Sequence, residues 1–355
     1  LQRSGCLFTD MVKNAEDAGA VAALVYNIAG DPFVMFGEDD VVGIPALMIG
    51  QADANLILAE LDAGNEVDVT LEKSLLLTSS DTGNVMANFS SRGPGPNPDI
   101  LKPDVTAPGV NIIAGFTPDP ANATPGENFA YLSGTSMSTP HIAGAAALLL
   151  QAHPEWSPAA IRSALITTAR QDVTLPGSLS VPNPFDYGGG HIVPNDALTP
   201  GLVYDITDDE YDAFSCGIDS PAVTEERCDE LAAAGRSFES RDLNQPSIAV
   251  SRLASAETVT RHVTNPGDSA ESYIVEIAPP PGILVTVDPP ILSVGPGEQA
   301  AFDVTMQFES GPLDLWRFGS YTWVGDEHSV RSNIAVKPKS ISAPIEVSSV
   351  GGTGS

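Results

Sequence analysis

Positive charge is scarce in this chain: 16 Lys and Arg stand against 46 Asp and Glu, a formal charge of −30. A field of that sign repels phosphate backbones and anionic lipid, which excludes nucleic acid as a partner. The same excess of acid favours solubility and points to an extracellular or saline setting. Cysteine is nearly absent. Only Cys6, Cys216 and Cys228 occur, with no CxxC pair and no His/Cys cluster at metal-ligand spacing, so no zinc site is expected. No D-x-D-x-D-G loop is present to hold calcium. No apolar run reaches the roughly 18 residues of a membrane span. No start Met and no basic-then-apolar leader open the chain, which begins Leu1-Gln2-Arg3-Ser4 as if in mid-domain; the expectation is that leader and early strands lie upstream.

What remains is an ordinary globular composition. The 355 residues, 42 % of them hydrophobic, suffice for two or three packed domains. Cys216 and Cys228 are near enough in sequence to close a short loop, and a secreted protein could oxidise them to a disulfide. Cys6 is then odd: either its partner precedes residue 1, or it is a buried thiol. Residues 348–355 are rich in Gly and Ser, like a linker.

Residues 9–27 start with Thr9 or Asp10 as a helix cap and set Met11, Ala15 and Ala18 on one face before Gly19 stops the helix. Short apolar runs at 22–26 and 44–49 read as strands, residues 51–63 as a second amphipathic helix, and 67–71 as a further strand, together an α/β module. Residues 79–121 are rich in Gly and Pro, hence turns and packed extended segments. From 128 to 170 helix dominates. Pro140 is read in a first turn where its missing N–H is harmless, and small residues at 143–147 followed by Leu148-Leu149-Leu150 describe a helix apolar on nearly all sides, therefore buried. Ser157-Pro158 caps the next helix, 159–168. From about 242 the texture turns to short alternating runs at 258–263, 272–277, 283–287, 300–306, 319–324 and 330–336, separated by Pro-Gly turns, the pattern of a β-sandwich.

One segment carries chemistry. Ser133-Gly134-Thr135-Ser136-Met137-Ser138-Thr139-Pro140-His141 leads from a turn into the apolar helix, so the Ser136 hydroxyl sits at a helix N-terminus, where unpaired N–H groups and the helix dipole stabilise a developing oxyanion. Gly134 allows the tight turn and leaves room for a substrate carbonyl. On local grounds alone, a serine there is more often a simple N-cap.

The wider context favours the chemical reading. Gly134-Thr135-Ser136-Met137-Ser138-Thr139-Pro140-His141 resembles the nucleophile motif of subtilisin-like serine peptidases. Phe89-Ser90-Ser91-Arg92-Gly93-Pro94, Lys102-Pro103-Asp104-Val105, Ala107-Pro108-Gly109-Val110 and His153-Pro154-Glu155-Trp156-Ser157 stand in that family's order around it. Downstream, Asp186-Tyr187-Gly188-Gly189-Gly190-His191, Pro200-Gly201-Leu202-Val203-Tyr204-Asp205 and Asp242-Leu243-Asn244 with Pro246-Ser247 are similar to the cucumisin-like branch. Upstream, Gly5-Cys6, Lys13-Asn14-Ala15 with Ala18-Gly19-Ala20, and Ile44-Pro45-Ala46 resemble the second half of a protease-associated domain.

The resemblance implies an α/β fold: a partial subtilisin-like parallel-sheet core, an α/β protease-associated remnant and a C-terminal antiparallel β-sandwich of fibronectin type III kind. The expected boundaries are 1–75 for the remnant, 76–240 for the catalytic part, 241–340 for the sandwich and 341–355 for a tail. It also implies a secreted serine endopeptidase acting on protein or peptide substrates through an acyl-enzyme on Ser136, with Gly134 and Thr135 supporting the nucleophile turn. No residue of this stretch is assigned to a cofactor or metal, and calcium dependence is not decided by it, because the family's calcium sites fall largely outside the segments matched here. In the family's order the acid, the base and the oxyanion asparagine precede this stretch, and no matching motif for them occurs here. The 355 residues alone are therefore expected to be inactive, and poorly stable or prone to aggregate. The competing expectation is a non-catalytic protein-binding scaffold. Three residues mimic missing triad members. His141 follows Ser136 too closely on the helix to turn back to it and matches a packing histidine, Asp81-Thr82-Gly83 is followed by no H-G-T histidine and reads as a turn, and His191 lies in a framework turn. Asn88-Phe89-Ser90 and Asn122-Ala123-Thr124 are sequons, the second in the more polar loop.

Overall fold

The computed structural model of the chain describes residues 1–3, 5–28, 35, 42–71, 83–117, 128–175 and 182–340. Asp81, Thr82, the Asn122 sequon and the Gly- and Ser-rich tail lie outside the described residues. Two compact units are formed, one from residues 1–90, 107–143 and 173–182, the other from 91–106, 144–172 and 183–355.

In the first unit, α1 (Phe8–Asp17) buries Met11 and Val12 and ends at Gly19, whose φ of +94° suits glycine. Its N-cap is Leu7, without a side-chain cap bond, not Thr9 or Asp10; the first helical hydrogen bond already forms from Met11 N–H to the Leu7 carbonyl, which places both polar residues inside the first turn. Strand β1 (Ala23–Tyr26) pairs in parallel with β2 (Ala46–Ile49), in register from Ala23↔Ala46 to Tyr26↔Ile49. Met11, Val12, Ala23 and Val25 make the small core beneath them. Helix α2 (Gln51–Asp62) follows directly and buries only Ala54. The strand expected at 67–71 does not form: these residues have no ladder partner among the described residues, and Val69 is exposed, so nothing described rewards an extended pairing. Later in the chain β3 (Ile112–Gly115) and β4 (Phe129–Leu132) make an antiparallel pair. Of the parallel-sheet core expected over 76–240, the described residues contain the helices and this one pair.

Helix α3 (Thr135–Ala152) spans the division between the units. The expectation of a fully buried helix fails. Only Ala145 and Leu149, one turn apart on a single stripe, are buried, while Leu148 is 62 % and Leu150 48 % exposed. An all-round apolar helix needs cover on every side, and the described residues cover one. Pro140 is the sixth residue of α3 and so lies inside the helix, not in its first turn; it removes the hydrogen bond that the Ser136 carbonyl would otherwise accept. The buried helix is instead α4 (Pro158–Thr167). Ser157 caps it by accepting from Ala160 N–H at 3.0 Å, a contact of about 1 kcal/mol, Pro158 occupies the first turn, and eight of its residues are buried.

From Ile248 the second unit is a two-sheet sandwich of β5 (Ile248–Leu253), β6 (Ala256–Thr264), β7 (Glu271–Ala278), β8 (Ile283–Asp288), β9 (Ile291–Val294), β10 (Gln299–Phe308), β11 (Arg317–Val324) and β12 (Ser329–Pro338). All six expected strands are present, with β5 and β9 added. The sheets run β6-β10-β8 and β5-β12-β11-β7-β9. One pairing departs from the antiparallel expectation: β5 lies parallel to β12, Ile334 opposite Ile248. Parallel neighbours need a long crossover, and here the whole domain between its first and last strands supplies it. Strict alternation, as in β8 with Ile283, Val285 and Val287 inward, fills the core, where Phe302 meets Trp323, Tyr321 and Tyr204 edge-on at centroid distances of 5.0, 5.9 and 6.5 Å.

Leu202, Val203 and Tyr204 of the Pro-Gly-Leu-Val-Tyr-Asp motif are buried in that unit, and the Tyr204 hydroxyl contacts those of Tyr321 (3.1 Å) and Ser332 (2.9 Å). Asn244 donates to the carbonyls of Asp205 and His262 and accepts from His262 N–H. The fully buried Arg261 donates to the carbonyls of Gln245, Thr260 and Arg241. A disulfide joins Cys216 of α6 (Asp208–Gly217) to Cys228 of α7 (Glu225–Ala233). Cys6 is exposed, not buried.

Two predictions follow from this architecture. The Glu271 carboxylate accepts from Glu327 and His328 N–H, the His328 ring and the Tyr273 hydroxyl. Burial would raise its pKa, but these donors outweigh burial and lower it from 4.5 to about 2. A carboxyl depressed on folding stabilises the native state above its unfolded pKa, and that contribution is lost as pH falls through the folded value. Denaturant titrations should therefore show stability declining between about pH 4.5 and 2, with a shallower decline in Glu271→Gln; identical slopes would refute the assignment. Separately, Ile113 (57 %), Phe129 (66 %), Leu148 and Leu150 are exposed, so the 355-residue chain alone should bind the dye ANS and self-associate in light scattering.

Candidate active site

The hairpin β3–β4 feeds Ser133 and Gly134 into the start of α3. The Gly134 carbonyl accepts from Met137 N–H at 3.0 Å and from Ser138 N–H at 3.4 Å, closing the first turn. Thr135 and Ser136, the first two residues of α3, are exposed, and their N–H groups precede the helical ladder. The Ser136 hydroxyl makes no hydrogen bond among the described residues and caps nothing. An exposed hydroxyl beside N–H groups that precede the ladder, at the positive end of an 18-residue helix, is an arrangement that can serve acyl transfer once a base is supplied, the N–H groups being able to hold an oxyanion.

The turn is gripped from one side by residues 107–111, within the same unit. Gly134 N–H donates to the Gly109 carbonyl at 2.8 Å, the Ser138 hydroxyl donates to the Ala107 carbonyl at 3.0 Å, and Asn111 N–H donates to the Ser133 hydroxyl at 2.8 Å. Asn111 adopts a φ of +53°, which asparagine tolerates and which turns the chain into β3. Side chains farther along α3 bond backward on their own helix: Thr139 to the Thr135 carbonyl (3.0 Å) and His141 Nδ1 to the Met137 carbonyl (2.8 Å). His141 is thus engaged on α3, one turn back from its own position.

Three models of known families match this chain: the subtilase family over residues 36–190, the PA domain over 1–57 and a fibronectin type-III domain over 242–336. Among curated proteins, the subtilisin-like protease SBT5.4 of Arabidopsis thaliana is 37 % identical over 92 % of this chain and 44 % of the relative. SBT3.10 of the same plant is 39 % identical over 76 % of this chain and 36 % of its own length. SBT1.6 is 36 % identical over 90 % and 45 %. The chain belongs to the subtilase family. It spans less than half the length of these curated relatives.

In this subtilase the other family motifs form a framework in the second unit. Arg92 bonds Asp186 at 2.8 Å, and Arg162 donates to Asp104 through Nε (3.0 Å) and Nη2 and to Gln245 (3.0 Å). Burial would raise the Asp104 carboxyl, but the charges and hydrogen bonds of Arg162 and Lys102 outweigh it and hold it below the usual range. Gly188 is required: its φ is +65°, and a Cβ there would lie 2.3 Å from the Asp104 carbonyl oxygen. The backbone of His191 bridges Arg170 and Thr106, with Ile192 N–H donating to the Thr106 carbonyl at 3.0 Å. Asn88, whose sequon overlaps the Phe89-Ser90-Ser91-Arg92-Gly93-Pro94 motif, lies in an exposed turn closed from Ser90 N–H to the Ala87 carbonyl.

Gly134, Thr135 and Ser136 are thus on one turn, as their adjacency requires. Sequence reasoning missed Ser138 and Gly109 as its supports. Ala107-Pro108-Gly109-Val110 marked the family without disclosing that its backbone is what Gly134 and Ser138 hold.

Proposed function

We propose that the protein to which this chain belongs is a serine endopeptidase whose acyl-enzyme forms on Ser136. The observation that carries the reading is the exposed, unbonded Ser136 hydroxyl at the N-terminus of α3, in a chain similar over most of its length to proteins named subtilisin-like proteases. The Ser136 oxygen bonds to the scissile carbonyl carbon, its proton passing to an imidazole base that the family's order puts upstream of this stretch. The carbonyl electrons collect on an oxyanion that accepts a hydrogen bond from the Ser136 N–H. When they return, the C–N bond breaks, the amine leaves with the proton, and water releases the acyl group. Gly134 and Thr135 keep the turn short and open to substrate.

On the same reading residues 1–75 are a protease-associated domain, 76–240 belong to the catalytic domain, 241–340 are the sandwich and 341–355 a tail. The family matches and the strands from Ile248 onward support it. The substrates are proteins or peptides. Export from the cell is favoured by the Cys216–Cys228 disulfide and the charge of −30. No described helix is long and apolar enough to cross a membrane.

Full-length protein should be labelled by a fluorophosphonate, with the adduct on Ser136 by peptide mass mapping. Ser136→Ala should remove labelling and lower turnover by at least about 10³-fold; turnover kept in that variant would sink the assignment. The 355-residue chain alone should not turn over peptides, because no imidazole among the described residues bonds Ser136 and its hydroxyl stays protonated.

A further inference from the structure

We propose that Ser138, through its hydroxyl, and Gly109, through its lack of a side chain, are positioning residues that set the location of the Ser136 hydroxyl and N–H. The inference rests on Ser136 being the nucleophile.

The argument begins with where the turn is held. Gly134 N–H bonds the Gly109 carbonyl two residues before Ser136, and the Ser138 hydroxyl bonds the Ala107 carbonyl two residues after it. One short segment, residues 107–109, therefore grips both sides of Ser136, while the Ser136 hydroxyl is left without a bond among the described residues. The approach is close: a Cβ built on Gly109 would lie 2.2 Å from Ser138 Oγ and 2.9 Å from the Gly134 carbonyl oxygen. Real Cβ atoms do not come that near, so any larger residue at 109 must push away the Ser138 side chain, the Gly134 peptide or both. Displacing the Gly134 peptide carries Ser136 with it, because Gly134 and Ser138 are the start and end of its own helical turn, whereas turning the Ser138 side chain breaks the bond to the Ala107 carbonyl that holds the far side of that turn.

Acyl transfer is sensitive to such displacement. The attacking oxygen must lie about 3–3.5 Å from the carbonyl carbon, and misplacement by about 1 Å costs on the order of a hundredfold in rate. The oxyanion donor on the Ser136 backbone moves by the same amount, so both functions suffer together. Ser138 does not touch the reacting atoms; it acts through the turn. The oxygen that clashes with a new methyl at 109 is also the oxygen that makes the stabilising bond, which predicts a specific non-additivity between the two positions.

The test measures fluorophosphonate inactivation of full-length protein, separating the maximal rate of labelling from the apparent inhibitor affinity, with the thermal midpoint as a control for folding. Ser138→Ala should lower the maximal rate about five- to tenfold with affinity within about twofold, the loss of one neutral hydrogen bond. Gly109→Ala should lower it about a hundredfold. In the double variant the methyl no longer meets an oxygen at 2.2 Å, so its rate should exceed that of Gly109→Ala by at least about fivefold. A maximal rate within twofold of wild type in Gly109→Ala, or a double variant equal to the product of the two single losses, would overturn the proposal. Should Gly109→Ala not fold, Ser138→Ala decides alone: a rate within twofold of wild type at an unchanged thermal midpoint overturns it. Labelling that survives Ser136→Ala refutes the nucleophile. Labelling at Ser136 that ignores both positions refutes only their positioning role.

Discussion

An α-helix cannot satisfy its own first N–H groups, and the arrangement around Ser136 follows from that constraint. Those groups must meet a side chain, water or a ligand. Here Ser136, a residue that could cap, lies inside the first turn with its hydroxyl unbonded among the described residues, while the Gly134 carbonyl closes the turn on Met137 and Ser138. The polar side chains that follow are occupied elsewhere: Ser138 on the Ala107 carbonyl, Thr139 and His141 on carbonyls of their own helix. The Ser136 hydroxyl is therefore left available by omission, since its neighbours have been given other partners and it has none among the described residues. Pro140 extends the same logic by freeing the Ser136 carbonyl from the helical ladder.

The second unit applies the opposite rule to most of its buried polar side chains, although Gln245 Nε2 and Trp323 Nε1 are buried without a hydrogen-bond partner among the described residues. Tyr204 reaches Tyr321 and Ser332, Asn244 uses both its oxygen and its nitrogen, and Arg261 spends its donors on three carbonyls. Asn333 donates to the Gly188 carbonyl at 2.6 Å, tying β12 to the Gly-rich turn that follows α5 (Pro184–Tyr187). Such bonds gain strength in a dry interior and penalise any packing that leaves one unmade, so they specify one arrangement of helices and strands. The motifs that identified the family from a distance, at 102–105, 186–191, 200–205 and 242–247, do this framework work. Sequence similarity within this family therefore reports on the scaffold as much as on the candidate site.

Much of this was legible in the residues themselves. Ser157-Pro158 announced a cap and a first turn, and both are present. Alternation located six strands of the sandwich, and the spacing of Cys216 and Cys228 allowed the disulfide that joins α6 to α7. The readings that failed share a cause. Thr9 and Asp10 look like caps by type, but the helix starts earlier because the Leu7 carbonyl already accepts from Met11. Residues 67–71 alternate like a strand yet find no partner among the described residues. Short β9, at four residues, is too brief for periodicity to register, and β5 is buried at five of six positions and so does not alternate.

By itself the sequence determined what depends on residues a few positions apart: helix caps and stops, strand alternation, and the serine at the head of an apolar helix. These follow from side-chain period and local hydrogen bonding, which the order of residues states directly. Only the tertiary structure decided which face of α3 is covered, that β5 runs parallel to β12, and that Gly109 must be glycine because Ser138 occupies the space beside it. Those facts depend on surfaces brought together from 29 residues apart in one case and from opposite ends of a domain in another. No local pattern encodes such a meeting, because its physical basis is the volume and the unpaired groups that two distant segments present to each other.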